Sequence, residues 1–319
     1  MLPAPAKVLE SLRERVRAAR PSIVFPEGGD ERILRAAELL REDAVVEPYV
    51  LNAPEAPKTE SHPRFEDMAA LVQRKRAHKG MDLDGARKQL QDPLWFGGAM
   101  VALGEAAGMV AGAANATGDV IRAGLGTVGL AEGSALCSSC FVMARDDLVL
   151  SYADGGVVPD PSSEQLVDIA RSTIVTHRCL VGSDPKVAFL SFSTRGSAAH
   201  ARVDKVRAAS ELAKQRLGCP VDGELQVDAA IVPSVAQRKA PDSPLAGQAN
   251  VLIFPDLDSG NIAYKLTQRL AGFTAIGPLL QGLSRPCLDL SRGCSAEDVY
   301  WVACCAAALA AQDPDSGDV

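Results

Sequence analysis

The sequence predicts an α/β fold built on two mainly parallel sheets. Three observations carry that expectation. Strand-like and helix-like segments alternate along most of the 319 residues, the alternation breaks once near residue 146, and the composition is that of a soluble globular chain, with 47% hydrophobic and 23% charged residues.

The first strand–helix unit is "SIVFPEG" followed by "DERILRAAELLRED", where Asp30 suits an N-cap and Ile33, Leu34, Ala37 and Leu40 share one helical face. "AVVEPYVLN" reads as the next strand, and "APEAPKTESHPRFED" as an irregular, proline-rich connection. In "ARKQLQDPLWFGGAMVALGEAAG" a helix breaks near Pro93 and resumes, because the residue before a proline is pushed out of the helical region. "MVAGAAN" is a short buried strand. "ALCSSCFVMA" and "LVLSYADGGVV", separated by "RDD", make an antiparallel hairpin, and this break in the β-α order marks a candidate domain crossover. Alternation resumes with a helix over 163–178, strand "KVAFLSFS", helix "ARVDKVRAASELAKQRL", strand "ANVLIFPDL", helix "NIAYKLTQRLAG", strand "AIGPLLQGL" and a closing helix from Ala296. Each half holds its own sheet, and the tail "DPDSGDV" is expected to fray.

Forty acidic residues against 33 basic ones give a net charge of −7, which argues against a broad nucleic-acid footprint and leaves anionic ligands to local arginines. Eight cysteines lack regular spacing, and Cys304 and Cys305 are adjacent within a helical pattern. Reduced thiols in a cytoplasm fit this better than a disulfide framework. The N-terminal "MLPAPAKVLESLRERVRAAR" lacks a secretory apolar core, and the longest strongly apolar run, 299–311, is too short for a bilayer, so neither a targeting segment nor a membrane span is expected.

Several stretches offer chemistry. "GLGTVG" at 124–129 has the spelling of a dinucleotide loop but not its strand-before, helix-after context, so a plain loop is the better reading. Cys137 and Cys140 lack partners for a zinc site and read as buried thiols. His62, His78, His177 and His200 stand isolated. "LSRGCSAED" at 290–298 is richer. Ser295 and Asp298 fit a capping box at a helix start, which by spacing alone is the simpler account of Asp298. Ser291 and Arg292 lie just upstream of that helix, where amides and the positive dipole end favour an anion and a guanidinium adds oxyanion recognition. A carboxylate there is placed to take a proton from a bound ligand. "FSTRGSA" at 192–198 ends a strand with Ser193, Thr194, Gly196 and Ser197, the makings of an anion-approaching loop or a simple turn. "GNIAYK" at 260–265 opens a helix with Asn261 and sets Tyr264 and Lys265 in its first turns. Arg76 in "RKRAHKG" reads as a solvated charge, while Arg122 follows a buried strand closely.

The long segments "FPEGGDERILRAA", "LGEAAGMVAGAANATGDVIRAGL", "YADGGVVPDPSSEQLVDIA", "DGELQVDAAIVPSVAQRKAPDSPLAGQANVLIFPDLDSGNIAYKLTQRLAG" and "IGPLLQGLSRPCLDLSRGCSAED", nearly the whole chain, resemble the phosphate acetyl/butyryl transferases. The resemblance implies a two-domain α/β subunit of the isocitrate/isopropylmalate dehydrogenase-like fold with its active site in the interdomain cleft, and a homodimer. The first domain is then expected over 1–135 plus 283–319 and the second over 136–282. The implied reaction is reversible acetyl transfer between acetyl phosphate and coenzyme A, with coenzyme A as co-substrate and neither a metal nor a tightly bound cofactor. Ser291, Arg292 and Asp298 match the family's catalytic pattern, with Asp298 as base toward the thiol. Arg76 and Arg122 match arginines tied to substrate and coenzyme A binding, and Ser193, Thr194, Gly196, Ser197, Asn261, Tyr264 and Lys265 are taken as further binding positions. Around Arg122 the run "NATGDVIRAG" departs from the family's usual pattern, and the connection near 50–65 is short. The alternatives are a butyryl- or propionyl-specific transferase and a non-catalytic regulatory module that binds acyl-CoA or phosphate.

Overall fold

In the computed structural model, which describes residues 7–53 and 59–312, the chain forms two compact units. One gathers Leu9–Gly133 with Gly277–Gln312, and the other is Ser134–Ile276. The tail at 313–319 and part of the short connection near 50–65 lie outside the described residues.

The first unit contains α1 (Lys7–Arg17), β1 (Ser22–Phe25), α2 (Glu31–Glu42), β2 (Glu47–Val50), α3 (Phe65–Arg76), α4 (Leu83–Gln89), α5 (Pro93–Ala102), β3 (Gly108–Ala111) and α6 (Thr117–Thr127). The second contains β4 (Ser138–Arg145), β5 (Leu148–Ala153), α7 (Ser163–Val181), β6 (Val187–Leu190), α8 (Ala201–Arg216), β7 (Val221–Leu225), α9 (Val227–Ile231), α10 (Pro233–Lys239), β8 (Val251–Ile253) and α11 (Leu257–Ala271). Within β9 (Thr274–Gln281) the chain leaves the second unit, and β10 (Cys287–Asp289) and α12 (Ala296–Ala310) belong to the first.

The first unit's sheet has the order β10-β3-β1-β2, all parallel. Its inner strands are apolar on both faces, as a parallel sheet covered by helices requires: Ile23, Val24, Phe25, Met109 and Val110 are all fully buried. From β1 the chain runs through α2 to β2 on one side, whereas β3 lies on the other side of β1. The topological switch therefore falls between β1 and β3, and in such sheets ligands bind beyond the strands' carboxyl ends at that point. Asp30 caps α2 as expected, accepting from the Arg32 N–H at 2.9 Å. The helix breaks before Pro93 as expected: α4 ends at Gln89 and Pro93 starts α5, with Asp92 as its cap. "GLGTVG" is no loop: its first four residues are the last turn of α6. The connection read as irregular turns helical from Phe65, and α3 continues to Arg76.

The second unit's sheet has the order β7-β6-β8-β5-β4-β9, with β4 and β5 paired antiparallel as the sequence predicts and β5, β8, β6 and β7 parallel. Alternation sorts its two cores. Val187, Phe189, Val251 and Ile253 point to one face with Val167, Ile174 and Val206 of α7 and α8. Ala188, Leu190 and Leu252 point to the other with Phe141, Met143 and Leu225. His177 is a core residue, its ring nitrogens 2.8 Å from Ser151 Oγ and 2.8 Å from Ser183 Oγ, and burial pushes its pKa down to about 4. Cys137 and Cys140 are buried free thiols. Among the described residues no helix is long and apolar enough to cross a membrane, and no cluster of His, Cys, Asp or Glu is fit to hold a metal ion.

Candidate active site

Three loops leave the carboxyl ends of adjacent parallel strands in the first unit: residues 26–30 after β1, 112–116 after β3 and 290–295 after β10. The second of these is held by a charged side chain buried beneath it. Glu27, 5% exposed, accepts from four consecutive backbone N–H groups, those of Gly112 and Ala113 at 2.9 Å, Ala114 at 3.0 Å and Asn115 at 2.8 Å, and from Asn115 Nδ2 at 2.8 Å. A run of amides converging on one carboxylate is an anion-binding nest, here filled by the protein's own side chain. Gly112 is required at its head: φ is +109°, and a Cβ would lie 2.2 Å from Asp289 Oδ1.

Asp289 ends β10 fully buried, with Oδ2 accepting from Thr117 Oγ1 at 2.6 Å and Oδ1 without a hydrogen-bond partner among the described residues. Burial pushes its pKa up to about 7; the Thr117 hydrogen bond works against that rise, and the neighbouring Glu27 charge adds to it.

The turn after β10 carries the side chains expected to act. Ser295 and Asp298 form the capping box: Ser295 Oγ accepts from the Asp298 N–H at 3.1 Å, and Asp298 Oδ2 accepts from the Ser295 N–H at 2.8 Å. Capping engages only Oδ2. Among the described residues no hydrogen bond or ion pair reaches Asp298 Oδ1 or the Arg292 guanidinium, and Ser291 and Arg292 are exposed while Asp298 is half-buried. Among the described residues Ser291 Oγ receives only the Gly293 N–H, at 3.3 Å. One turn thus presents a hydroxyl, an unpaired cation and a free carboxylate oxygen. Beside it Cys294 is 7% exposed, and burial pushes its thiol up to about 11, so it is not poised as a nucleophile.

Arg76 and the helix that carries Arg122 both pack on Trp95. The Arg76 guanidinium lies 5.4 Å above the Trp95 ring, and the same ring packs on Gly126 of α6, where a Cβ would fall 2.3 Å from it. Arg76 is therefore a half-buried, stacked cation, correcting its reading as a solvated charge, and its Nε is buried without a partner among the described residues. Arg122, one helical turn before Gly126, is 60% exposed and, among the described residues, bonded only to Asp119. A cavity of about 310 Å³ opens at the carboxyl end of the sheet, lined among others by Glu27, Asp30, Asn52, Asp92, Ala114 and Asn115.

In the second unit the loop "FSTRGSA" turns its polar groups inward. Glu224 Oε1 accepts from the Gly196 N–H at 2.7 Å and from Ser193 Oγ at 3.1 Å, while Ser197 Oγ accepts from the Thr194 N–H at 3.0 Å. The anion this loop approaches is Glu224, itself paired with Arg207 at 3.1 Å. Burial works to raise the Glu224 pKa, but the Arg207, Gly196 and Ser193 hydrogen bonds outweigh it and leave the carboxyl below its usual value. Asn261 does not open a helix. Asp256 caps α11, and Asn261 sits one turn inside, donating from Nδ2 to the Gly155 carbonyl at 2.9 Å. Tyr264 stacks on Phe141 with centroids 3.8 Å apart, and Lys265 is exposed.

Glu27, Arg32, Thr117 and Asp289 were not singled out by sequence. Two left a signal: Arg32 is a cation in the first turn of a helix, where the dipole disfavours it, and Asp289 is a lone charge within the apolar "CLDL".

A family model described as Phosphate acetyl/butaryl transferase matches residues 7–307. A phosphate acetyltransferase of Acetivibrio thermocellus is 44% identical over 317 residues, covering 92% of this chain and 96% of that protein. One of Bacillus subtilis is 41% identical over 323 residues, covering 96% and 99%. The crystal structure of a phosphotransacetylase from Streptococcus pyogenes superposes with a TM-score of 0.88 at 41% identity, spanning 95% of this chain and 98% of that one. Likeness of sequence and fold at this level runs through both units and through the three loops at the sheet's carboxyl end, so the chain belongs to the phosphate acetyl/butyryl transferase family.

Proposed function

We propose that this protein is a phosphate acetyltransferase, transferring an acetyl group reversibly between acetyl phosphate and coenzyme A, and that the turn after β10 performs the chemistry. The observation that supports this most is the pairing on one turn of an unpaired Arg292 guanidinium with a carboxylate, Asp298, that spends a single oxygen on its helix cap.

Asp298 Oδ1 takes the proton of the coenzyme A thiol. A thiol of pKa about 8.5 is only a few per cent ionised near neutrality, and a positioned base contributes typically ~100- to 10,000-fold. The thiolate sulfur attacks the acetyl carbonyl carbon. Arg292, with the Ser291 hydroxyl, stabilises the tetrahedral oxyanion and then the departing phosphate, to which the proton passes as the C–O bond breaks. In reverse, Asp298 returns a proton to the leaving thiolate. Arg76 and Arg122 supply positive charge for coenzyme A phosphates.

Initial rates of thioester formation with acetyl, propionyl and butyryl phosphate, for the parent and Asp298→Asn, test the assignment. The acetyl substrate is expected to be fastest, and the amide is expected to lower kcat by about 100-fold or more with an unchanged melt, because the Asn carbonyl still accepts from the Ser295 N–H in the capping box. An unimpaired Asp298→Asn rate returns Asp298 to capping alone, and no turnover with any of the three substrates leaves the regulatory-module reading.

The assembly is a homodimer, with eight free cysteines suited to a reducing cytoplasm. Its apolar seam is α11, where Ile262, Leu266 and Leu270, spaced four residues apart, are 57%, 52% and 81% exposed. Such a stripe suits a self-complementary contact about a two-fold axis. Leu270→Glu is expected to yield monomers in sedimentation; a parent that sediments as a monomer contradicts the dimer.

A further inference from the structure

Arg32 lies outside the turn that carries Ser291, Arg292 and Asp298, yet it is joined to that turn more densely than any of the three is joined to another. Its guanidinium is first oriented by Asp30: Nε donates to Oδ1 at 3.0 Å and Nη2 to Oδ2 at 2.7 Å. The donors left over go to main-chain carbonyls of the neighbouring loops, with one further contact from Nη1 to Cys294 Sγ at 3.7 Å. Nη1 donates to the carbonyl of Arg292 at 2.7 Å and to that of Cys294 at 3.0 Å, and Nη2 donates to the carbonyl of Ala113 at 2.7 Å.

The far ends of those peptide groups decide what this does. In a trans peptide the N–H points opposite to the C=O, so fixing the oxygen fixes where the hydrogen points. The peptide that begins at Arg292 O ends at the Gly293 N–H, which donates to Ser291 Oγ at 3.3 Å. The peptide beginning at Cys294 O ends at the Ser295 N–H, which donates to Asp298 Oδ2 at 2.8 Å. The peptide beginning at Ala113 O ends at the Ala114 N–H, which donates to Glu27 Oε1 at 3.0 Å. In all three the guanidinium sits at the oxygen end and a side-chain oxygen at the hydrogen end, an arrangement in which each bond polarises the next.

We propose that Arg32 is the positioning residue of the active turn, setting the Ser291 hydroxyl and the Asp298 carboxylate through two peptide groups and locking the 112–116 loop to them through a third. The inference rests on the roles given above to Ser291 and Asp298. Lysine cannot substitute, since its single nitrogen cannot meet Asp30 and three carbonyls in one plane.

The test measures kcat and KM for thioester formation from acetyl phosphate and coenzyme A in the parent, Arg32→Lys, Arg32→Ala and Asp298→Asn, alongside thermal melts. Arg32→Lys is expected to lose about 100-fold in kcat, the scale of a displacement of about 1 Å at the reacting groups, with KM within threefold of the parent. Arg32→Ala is expected to regain kcat on addition of millimolar methylguanidinium, which a general loss of packing would not allow. Should Arg32→Ala fail to fold, the lysine variant carries the test. A parent-like kcat in Arg32→Lys, in an enzyme that Asp298→Asn inactivates, overturns the positioning role and leaves the base assignment standing. A loss in Arg32→Lys that falls on KM and the melt alike, with no methylguanidinium rescue of a folded Arg32→Ala, also overturns it. An active Asp298→Asn removes the site assignment itself.

Discussion

Replacing Asp289 with Asn should make the protein's stability less dependent on pH, in a direction that the burial of this residue fixes. The carboxyl is fully buried, has one hydroxyl partner and one empty oxygen, and burial raises its pKa from 3.8 to about 7. A folded state that holds a proton more tightly than the unfolded chain is favoured by low pH. The contribution is therefore complete below pH 4 and is lost as pH rises from about 4 through about 7. Each tenfold in proton affinity is worth ~1.4 kcal/mol, so the loss has a ceiling of about 4 kcal/mol. An Asn at 289 does not ionise, and its carbonyl still accepts from Thr117 Oγ1. Its amide hydrogens meet no acceptor at the empty position, but that cost is the same at every pH. Urea unfolding of the parent and Asp289→Asn at pH 4.5 and pH 8 isolates the effect as the change in their stability difference between the two pH values. The variant is expected to gain on the parent by about 1 to 4 kcal/mol at the higher pH. A stability difference that does not move with pH would mean that the Asp289 carboxyl is not held protonated by its burial.

Gly126→Ala drives a methyl group to within 2.3 Å of the Trp95 ring, and overpacking of this kind costs typically about 1 to 3 kcal/mol; because Arg76 stacks on that ring, KM for coenzyme A should rise more than KM for acetyl phosphate. Equal effects on the two substrates would detach Arg76 from coenzyme A. Labelled phosphate should not exchange into acetyl phosphate without coenzyme A, since the Cys294 thiol is buried with its pKa raised to about 11 and Ser291 has no base bonded to it. Exchange without coenzyme A would reveal an acetyl-enzyme intermediate and replace direct attack.

The parts of this fold that sequence made legible are those that local physics dictates. The Asp30 cap, the helix start at Ser295 and the β4–β5 hairpin depend on a few neighbouring residues and were readable from them. β7 was missed because "VDGEL" carries Asp222 and Glu224 into the interior, and only ion pairs with Arg195, Lys214 and Arg207 from elsewhere make that tolerable. β10 was missed because Asp289 interrupts its short apolar run, "CLDL". At the site the split is the same. Ser291, Arg292 and Asp298 lie within one turn and could be grouped by spacing. Glu27 serves amides more than 80 positions away, and Arg32 reaches carbonyls more than 250 positions away, so their roles existed only once the strands were side by side. The opposite error occurred at Asn261, where a residue with good capping chemistry was overruled by Asp256, one turn earlier in the same helix.

The central claim is that Asp298 removes the thiol proton, and the pH dependence of the Asp298→Asn rate deficit measures that act directly. Without a base, turnover must draw on thiolate formed in solution, which increases tenfold per pH unit up to a thiol pKa of about 8.5. The ratio of parent to variant kcat is predicted to be largest near pH 6 and to shrink by about tenfold per unit toward pH 8.5. A ratio that stays constant across this range would contradict the account, leaving Asp298 as the cap of α12 and nothing more.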